Sequence, residues 1–123
     1  MKELTSAEEQ IMQVIWKLEK GFLKNIMDAL PEPKPAYTTV ATVIRVLERK
    51  KFVSHRTYGK THEYHPLVAK KEYSRFYFGK FLQNYFGGSF AGLLSFFSKE
   101  HDLSLQDMEA LLKQMKTNEN PPD

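Results

Sequence analysis

The sequence contains no cysteine, which excludes disulfide bonds and thiolate metal sites. Its first segment, MKELTSAEEQ, lacks the apolar stretch of a secretory signal peptide. Long hydrophobic runs are also missing. The longest nearly apolar stretch, GGSFAGLLSFF, has eleven residues, whereas a membrane-spanning helix needs about 20. These absences predict a soluble, cytoplasmic protein without membrane insertion.

Patterns typical of enzymes are missing as well. The sequence has no Ser or Cys nucleophile context, no glycine-rich phosphate loop and no pair of carboxylates on one helix face. The four histidines are His55, His62, His65 and His101. His62 and His65 are three apart on a predicted strand and face opposite sides, which excludes a shared metal ion. His55 and Glu63 are candidate cross-strand neighbours, an ordinary surface pair. We predict no catalysis, no metal and no cofactor.

The charge that is present is unevenly distributed. The formal net charge is +3, and residues 1–68 hold eleven Lys/Arg against eight Asp/Glu, whereas residues 69–123 hold seven of each. Residues 45–60 contain one acidic side chain, Glu48, and six basic ones: Arg45, Arg49, Lys50, Lys51, Arg56 and Lys60. This basic stripe on a nearly neutral protein indicates a polyanion bound at one place. A solvated turn between two elements is the alternative.

Apolar residues recurring with the helical period predict three helices in the first half. The first lies in LTSAEEQIMQVIWKLEKG, where Thr5 and Glu8 fit a capping box and Gly21 is expected to stop the helix. The second lies in FLKNIMDALPEPKP and is short, because alternating prolines follow it. The third spans Thr38 to Lys50 within AYTTVATVIRVLERKK.

A β-hairpin is predicted next, from two β-prone runs, 52–57 and 61–65, that flank YGK. Gly59 supplies the backbone freedom that a turn requires. Three short helices followed by a two-stranded ribbon make a winged helix-turn-helix. In helix-turn-helix proteins the second helix of the motif enters the major groove of DNA. The third helix of this chain occupies that position.

The third helix has an unusual outer face. It carries Thr38, Ala41, Thr42, Arg45 and Arg49, whereas an ordinary solvated face is rich in Glu, Lys and Gln. Small residues let a helix approach DNA closely, and threonine and arginine offer groups that match base edges or phosphates. The predicted DNA-binding residues are Tyr37, Thr38, Thr39, Thr42, Arg45, Arg49, Arg56 and Lys60. The alternatives are a merely tolerated threonine surface and a winged helix that binds protein.

Helical patterns continue through the second half. Two helices are predicted on either side of Gly87-Gly88, the first ending near Tyr85. A last helix is predicted from Ser104, with Asp107 placed for its cap. The apolar stripe of that helix consists of Met108, Leu111, Leu112 and Met115.

The same half is rich in aromatic side chains, with ten between residues 69 and 98. Short helices cannot bury this much apolar surface among themselves, so we predict a homodimer. The alternative is that they fold back onto the winged helix as one core. The predicted fold is mainly α with a small β-hairpin. It consists of a winged helix-turn-helix DNA-binding domain, 1–68, and a C-terminal helical dimerisation domain, 69–123.

Four segments, in order, resemble the BlaI/MecI family of bacterial penicillinase-type repressors: LTSAEEQIMQVIW, TTVATVIRVLERKKFV, GKTHEYHPLV and FFSKEHDLS. The resemblance covers nearly the whole chain. It implies a dimeric winged-helix transcriptional repressor that binds a palindromic double-stranded DNA operator and dimerises through C-terminal helices. It also implies derepression by cleavage in the C-terminal domain, triggered by a membrane-bound sensor metalloprotease.

The chain departs from the family pattern at three points. The family cleavage site lies between Asn and Phe. Spacing back from DLS maps it to Phe96–Phe97, so the asparagine is missing. Thr38, Ala41 and Val46 stand where staphylococcal members are more basic, which predicts a different operator sequence. A copper-responsive branch binds metal through C-terminal cysteines, and this chain has none, which excludes that signal.

Overall fold

The computed structural model describes residues 1–101, 104, 106, 107, 109, 110, 113 and 114. Its helices and strands, in chain order, are α1 (Ser6–Leu18), β1 (Gly21–Phe22), α2 (Leu23–Ala29), α3 (Tyr37–Arg49), β2 (Val53–Tyr58), β3 (Thr61–Pro66), α4 (Lys70–Phe86) and α5 (Phe90–His101). The predicted fold class, mainly α with a small hairpin, is confirmed. The two-residue strand β1 was not predicted, because it is too short to show a periodicity.

Helix α1 begins at the predicted cap but ends earlier than predicted. The Thr5 hydroxyl accepts the Glu8 N–H at 3.2 Å, and the Glu8 carboxylate accepts the Thr5 N–H at 2.8 Å. At the other end Glu19, not Gly21, has a positive φ, +68°, with ψ −37°. Gly21 is buried in β1, where an added Cβ would lie 3.3 Å from the Asn25 Cβ. Glycine is therefore favoured at position 21 by its small size rather than by its conformational freedom.

The core of the winged helix holds α3 firmly by one face. Its largest fully buried side chains are Phe52, Met12, Ile15, Ile26, Ile44, Leu47, Val40 and Val53. They come from α1, α2, α3, β2 and the residue before β2. Burial of an apolar side chain of this size contributes about 1.5–3 kcal/mol. The packing fixes the orientation of α3 and leaves its opposite face to solvent.

A partly buried ion pair joins α1 to the C-terminal end of α3. The Lys50 Nζ lies 2.8 Å from the Glu8 Oε1, and Glu8 is only 4% exposed. Burial raises the pKa of Glu8, but hydrogen bonds from Lys50 and Thr5 and the charge of Lys50 outweigh it, so the pKa is lowered overall. The Glu8 carboxylate therefore compensates the positive charge of Lys50 within the fold. The predicted basic stripe has one fewer cation that is available to a ligand.

We expect Lys50→Met to destabilise the fold by about 2 kcal/mol, because it leaves a buried carboxylate without its cation. A lowered carboxyl pKa contributes stability above the unfolded-state value, 4.5 for Glu8, and this stability is lost as the pH falls. Urea unfolding between about pH 3 and pH 7 should show a difference that is largest near neutrality and shrinks in acid. Lys51→Met, at the exposed neighbouring position, is the control. A difference that stays constant with pH would contradict this role.

The hairpin has a two-residue turn where the sequence predicted the three residues YGK. Strands β2 and β3 pair antiparallel as far as Tyr58 and Thr61, so Gly59 and Lys60 alone form the loop. Gly59 has φ +62° at the first loop position, as a type II′ turn requires. β3 also pairs with β1, which gives a three-stranded sheet in the order β1-β3-β2.

This difference of one residue changes which side chains meet across the hairpin. In an antiparallel pair, a shift by one residue moves every partner to the other face. Arg56 lies opposite Glu63, and His55 lies opposite Tyr64. The predicted pairing of His55 with Glu63 is therefore wrong.

The chain divides into two compact units, an N-terminal unit, 1–77, and a C-terminal unit, 78–123. The division falls inside α4 rather than after residue 68. The first half of α4 belongs to the N-terminal unit because Tyr73 is 5% exposed and its hydroxyl accepts the Leu4 N–H at 2.9 Å. Tyr73 thus closes the winged-helix core from beyond the predicted domain boundary.

The C-terminal unit contains the end of α4 and all of α5. Gly87 and Gly88 have φ +58° and +80° and separate the two helices at the predicted break. Beyond α5 the Ser104 hydroxyl accepts the Asp107 N–H at 3.1 Å, and the Asp107 carboxylate accepts the Ser104 N–H at 3.2 Å. These two bonds confirm the predicted cap. The predicted stripe of Met108, Leu111, Leu112 and Met115 lies outside the described residues.

Candidate nucleic-acid interface

Helix α3 presents a continuous polar stripe on the side opposite the core. Val40, Ile44 and Leu47 are 0% exposed on the core side. On the other side Thr38, Thr42, Arg45 and Arg49 follow one another at spacings of three or four residues and are all exposed. We call these four residues the α3 outer face. The predicted residues Tyr37 and Thr39 are also exposed and flank it.

The start of α3 leaves its backbone donors available. Its N-cap, Ala36, makes no side-chain cap hydrogen bond, and the first turn contains no acidic residue. In α1, by contrast, Thr5 and Glu8 close the corresponding end. Free N–H groups at a helix N-terminus, together with the helix dipole, favour a phosphate. Tyr37, 59% exposed, lies in this first turn.

Thr42 is oriented by a hydrogen bond within the helix. Its hydroxyl donates to the carbonyl oxygen of Thr38 at 2.9 Å. Because the single hydroxyl proton is used there, the oxygen has only acceptor capacity left for a ligand. In the major groove its complementary donors are the amino groups of adenine and cytosine, and the threonine methyl group suits the thymine methyl.

The two predicted wing residues differ in their surroundings. Lys60 is exposed in the turn, with no cross-strand partner in the ladder. Arg56 is exposed on β2, but Glu63 lies directly opposite it. A carboxylate opposite an arginine competes with phosphate for the guanidinium. Lys60 is therefore the stronger candidate for a phosphate contact.

A cluster of four side chains, which we call the junction cluster, joins α3 to the wing. It consists of Glu48, His55, His62 and Tyr64. The His55 Nδ1 lies 2.8 Å from the Glu48 Oε2. The ring centroids of His55 and His62 are 4.0 Å apart, and the Tyr64 ring meets both imidazoles edge-on, at 5.8 and 6.2 Å.

The junction cluster adjoins the α3 outer face. Burial raises the pKa of Tyr64 and the charge of Glu48 raises it further, while Arg45 opposes both. Arg45 is therefore within electrostatic reach of the cluster. Sequence reasoning missed this group because it placed His55 opposite Glu63. Assigning a two-residue turn to Gly59-Lys60 would have placed His55 opposite Tyr64 and revealed the cluster.

Metal binding has no support among the residues that the structure describes. Within them, no group of three His, Asp or Glu side chains is arranged to hold an ion. The strand register also places His62 and His65 on opposite faces of the sheet, as the sequence predicts.

Comparison with known proteins identifies the family of this chain. Residues 4–117, most of the chain, match the penicillinase repressor family. The chain belongs to the penicillinase repressor family. It is 27% identical over 110 residues to the methicillin resistance regulatory protein MecI of Staphylococcus aureus strain N315, a match that covers 89% of each protein. MecI of Mammaliicoccus sciuri is 26% identical over the same length. The solved CopR repressor structure is 29% identical, with a TM-score of 0.47, and covers 55% of this chain and 99% of its own.

As a penicillinase repressor family member, the protein is a DNA-binding transcriptional repressor and not an enzyme. The resemblance to the BlaI/MecI family, the repressor function and the prediction of no catalysis are confirmed by this membership. The alternative of a winged helix that binds only protein is set aside for the same reason. In the part of the chain that the structure describes, no helix is long and apolar enough to cross a membrane.

Proposed function

We propose that this penicillinase repressor acts as a homodimer on a palindromic operator, with the α3 outer face of each protomer in one major-groove half-site. The α3 outer face supports this most directly, because Thr38, Thr42, Arg45 and Arg49 are exposed on a helix whose other side is buried. Recognition helices of helix-turn-helix proteins read base edges in this way. Arginine is suited to guanine, and threonine to adenine, cytosine or the thymine methyl.

Contacts to phosphate would position this reader on the duplex. The N-terminus of α3, which has no side-chain cap, offers backbone N–H groups. Lys60 in the wing turn, and Arg56 to a smaller extent, offer cations. Such contacts supply affinity and register but carry no sequence information directly.

The C-terminal unit supports the homodimer. Its large exposed aromatic side chains are Phe78, Tyr85, Phe96 and Phe97. Tyr85 is 72% exposed, although its ring lies 5.3 Å from that of Phe81. A second copy of the same surface covers such a patch by two-fold symmetry. The two protomers then supply the two recognition helices that a palindromic operator requires.

Binding to the DNA upstream of the protein's own gene tests this proposal. We expect a saturable gel shift that survives excess unrelated duplex, and native mass spectrometry should show two chains per operator. If unrelated duplex of equal length competes equally well, specific recognition is excluded. One chain per full operator would exclude the dimer.

The wing is expected to act through phosphate. Replacing Arg56 and Lys60 with Ala should weaken binding to all sequences similarly and lower the salt slope by about 2 for each winged helix bound. Lys60→Ala alone should account for more than half of the change in the salt slope, because Glu63 lies opposite Arg56 and competes with phosphate for it. Anisotropy titrations at several salt concentrations measure the slope, with Lys17→Ala on α1 as the charge-matched control. A large loss of sequence preference with an unchanged slope would make the wing a base reader.

For release from DNA, we propose a cut at the Phe96–Phe97 bond by a membrane-bound sensor metalloprotease. The two residues are 53% and 42% exposed in a single protomer, and the proposed dimer contact covers them. Their peptide bond lies within α5, so cleavage requires local opening of the helix. The cut separates residues 97–123 from the rest of the C-terminal unit. The dimer then loses apolar burial, at about 25 cal/mol per Å², and with it the avidity of two linked readers.

Mass spectrometry of the repressor from induced cells is expected to find a fragment that ends at Phe96. Phe96→Ala should reduce this fragment by changing the cleaved position, while Leu67→Ala, at an exposed apolar residue of the N-terminal unit, should leave it unchanged. An intact chain at full derepression would exclude cleavage as the route.

A further inference from the structure

The junction cluster brings two histidines together next to the proposed DNA interface. The rings of His55 and His62 have centroids 4.0 Å apart and planes inclined by 39°. His55 lies on β2 and His62 on β3, diagonally across one face of the sheet. Histidine is the side chain whose charge changes between about pH 5 and pH 8. Proton binding to this pair therefore changes the charge of the wing near the α3 outer face.

One proton on the pair is compensated within the protein, whereas a second is not. The Glu48 carboxylate lies 2.8 Å from the His55 Nδ1 and places one negative charge at the pair. The His62 Nδ1 lies 3.2 Å from the Thr57 hydroxyl, which carries no charge. Two positive charges on rings in contact repel each other, and an external anion reduces that repulsion.

The other groups that face the pair add to this need for an anion. From α3, Glu48 is the only carboxylate shown at the pair, and Arg45 acts on Tyr64, the β3 residue whose ring contacts both imidazoles. Tyr37, at the start of α3, also acts on Tyr64. Arg45 is therefore within electrostatic reach of the ring that contacts His62. Arg45 and His62 are both exposed, so a phosphate has access to each of them.

We propose that operator binding is coupled to proton uptake by the His55–His62 pair, so that the protein binds its operator more tightly at mildly acidic pH. This inference rests on the proposed DNA-binding mode. A DNA phosphate supplies the negative charge that the second imidazolium lacks, so the duplex favours the doubly charged pair. By linkage, the state that binds more protons is favoured as the pH falls, and here that state is the DNA complex.

Anisotropy of the full-length protein with labelled operator, between about pH 5.5 and pH 8.5, measures the coupling. We expect affinity to rise on the order of tenfold towards the acidic end, because each protomer gains about one cation that neutralises a phosphate. The salt slope should steepen by about 2 for the dimer over the same range. Calorimetry in two buffers with different ionisation enthalpies reports the proton uptake directly and needs no substitution.

The double variant His55→Gln/His62→Gln is expected to lose this pH dependence, so that its affinities at the two extremes converge. His65→Gln is the matched control, since His65 pairs with Ser54 on the opposite face of the sheet and should leave the pH dependence intact. Undiminished pH dependence in the folded double variant, or no proton uptake by the wild type, would overturn the proposal. Operator binding that is specific but independent of pH overturns this inference alone. The absence of specific binding at every pH overturns the proposed function as well.

Discussion

Thr42→Glu is expected to reduce specific operator binding by on the order of 100-fold or more, because it places a carboxylate in a groove lined by phosphates. Thr42 is exposed, and its hydroxyl donates to the Thr38 carbonyl of its own helix. Glutamate favours helix more than threonine does, so the fold should be retained. Anisotropy with operator and with unrelated duplex, together with circular dichroism, measures both effects.

Three further variants sharpen this result. Gln13→Glu makes the same charge change at an exposed position of α1 and should have little effect on affinity. Thr42→Val keeps the methyl group and removes the acceptor, whereas Thr42→Ser does the reverse. If the acceptor is what reads the base, Thr42→Val should lose about 1–3 kcal/mol of discrimination and Thr42→Ser should lose less. A folded Thr42→Glu protein that binds as well as the wild type would show that another face of α3 meets DNA.

A fragment of residues 1–77 is expected to be a folded monomer that binds the operator about 10²–10⁴-fold more weakly than the full chain. It lacks the C-terminal unit, so two winged helices are no longer linked in a dimer. Binding of one winged helix then no longer raises the effective concentration of the second at its half-site. It retains Tyr73, whose hydroxyl accepts the Leu4 N–H and whose ring lies 5.8 Å from that of Phe52. Light scattering gives the mass, and anisotropy gives the affinity.

The matched comparison is a fragment that ends at residue 68, at the predicted domain boundary. It removes Tyr73 from the core, and loss of a large buried aromatic side chain costs about 3–5 kcal/mol. We expect it to unfold at lower temperature and lower urea concentration than the 1–77 fragment. If the 1–77 fragment is still a dimer in solution, the dimer interface lies in the winged helix.

Local features of this fold were predictable because their causes lie within a few residues. The cap of α1 follows from Thr5 and Glu8, three positions apart, and the polar stripe of α3 follows from the helical period. The break at Gly87-Gly88 follows from the left-handed conformation that glycine accepts most readily. Most of the candidate interface was predictable for the same reason, because it lies on one amphipathic helix, α3.

Features that join distant parts of the chain were not predictable. Glu8 and Lys50 are 42 residues apart, and nothing local to Lys50 shows that its charge is neutralised. The hairpin register depends on whether the turn has two residues or three, and both lengths fit YGK. Because the turn length was ambiguous, the sequence did not predict the junction cluster. Tyr73 likewise resembles its aromatic neighbours in the sequence, although its side chain is buried in the winged-helix core.

Tyr73 also determines the outcome of a cut at the Phe96–Phe97 bond. The winged-helix core closes at Tyr73, upstream of that bond, so the N-terminal piece released by the proposed cut is expected to remain folded with its α3 outer face intact. If the proposed cut is the release step, this piece would continue to compete for half-sites as a weakly binding monomer. Derepression would then depend on the ratio of cut to intact repressor and on how fast the pieces are degraded or diluted by growth. Because a cut chain is not rejoined, repression would return only with new synthesis, so the cell would stay derepressed for some time after the inducing signal ends.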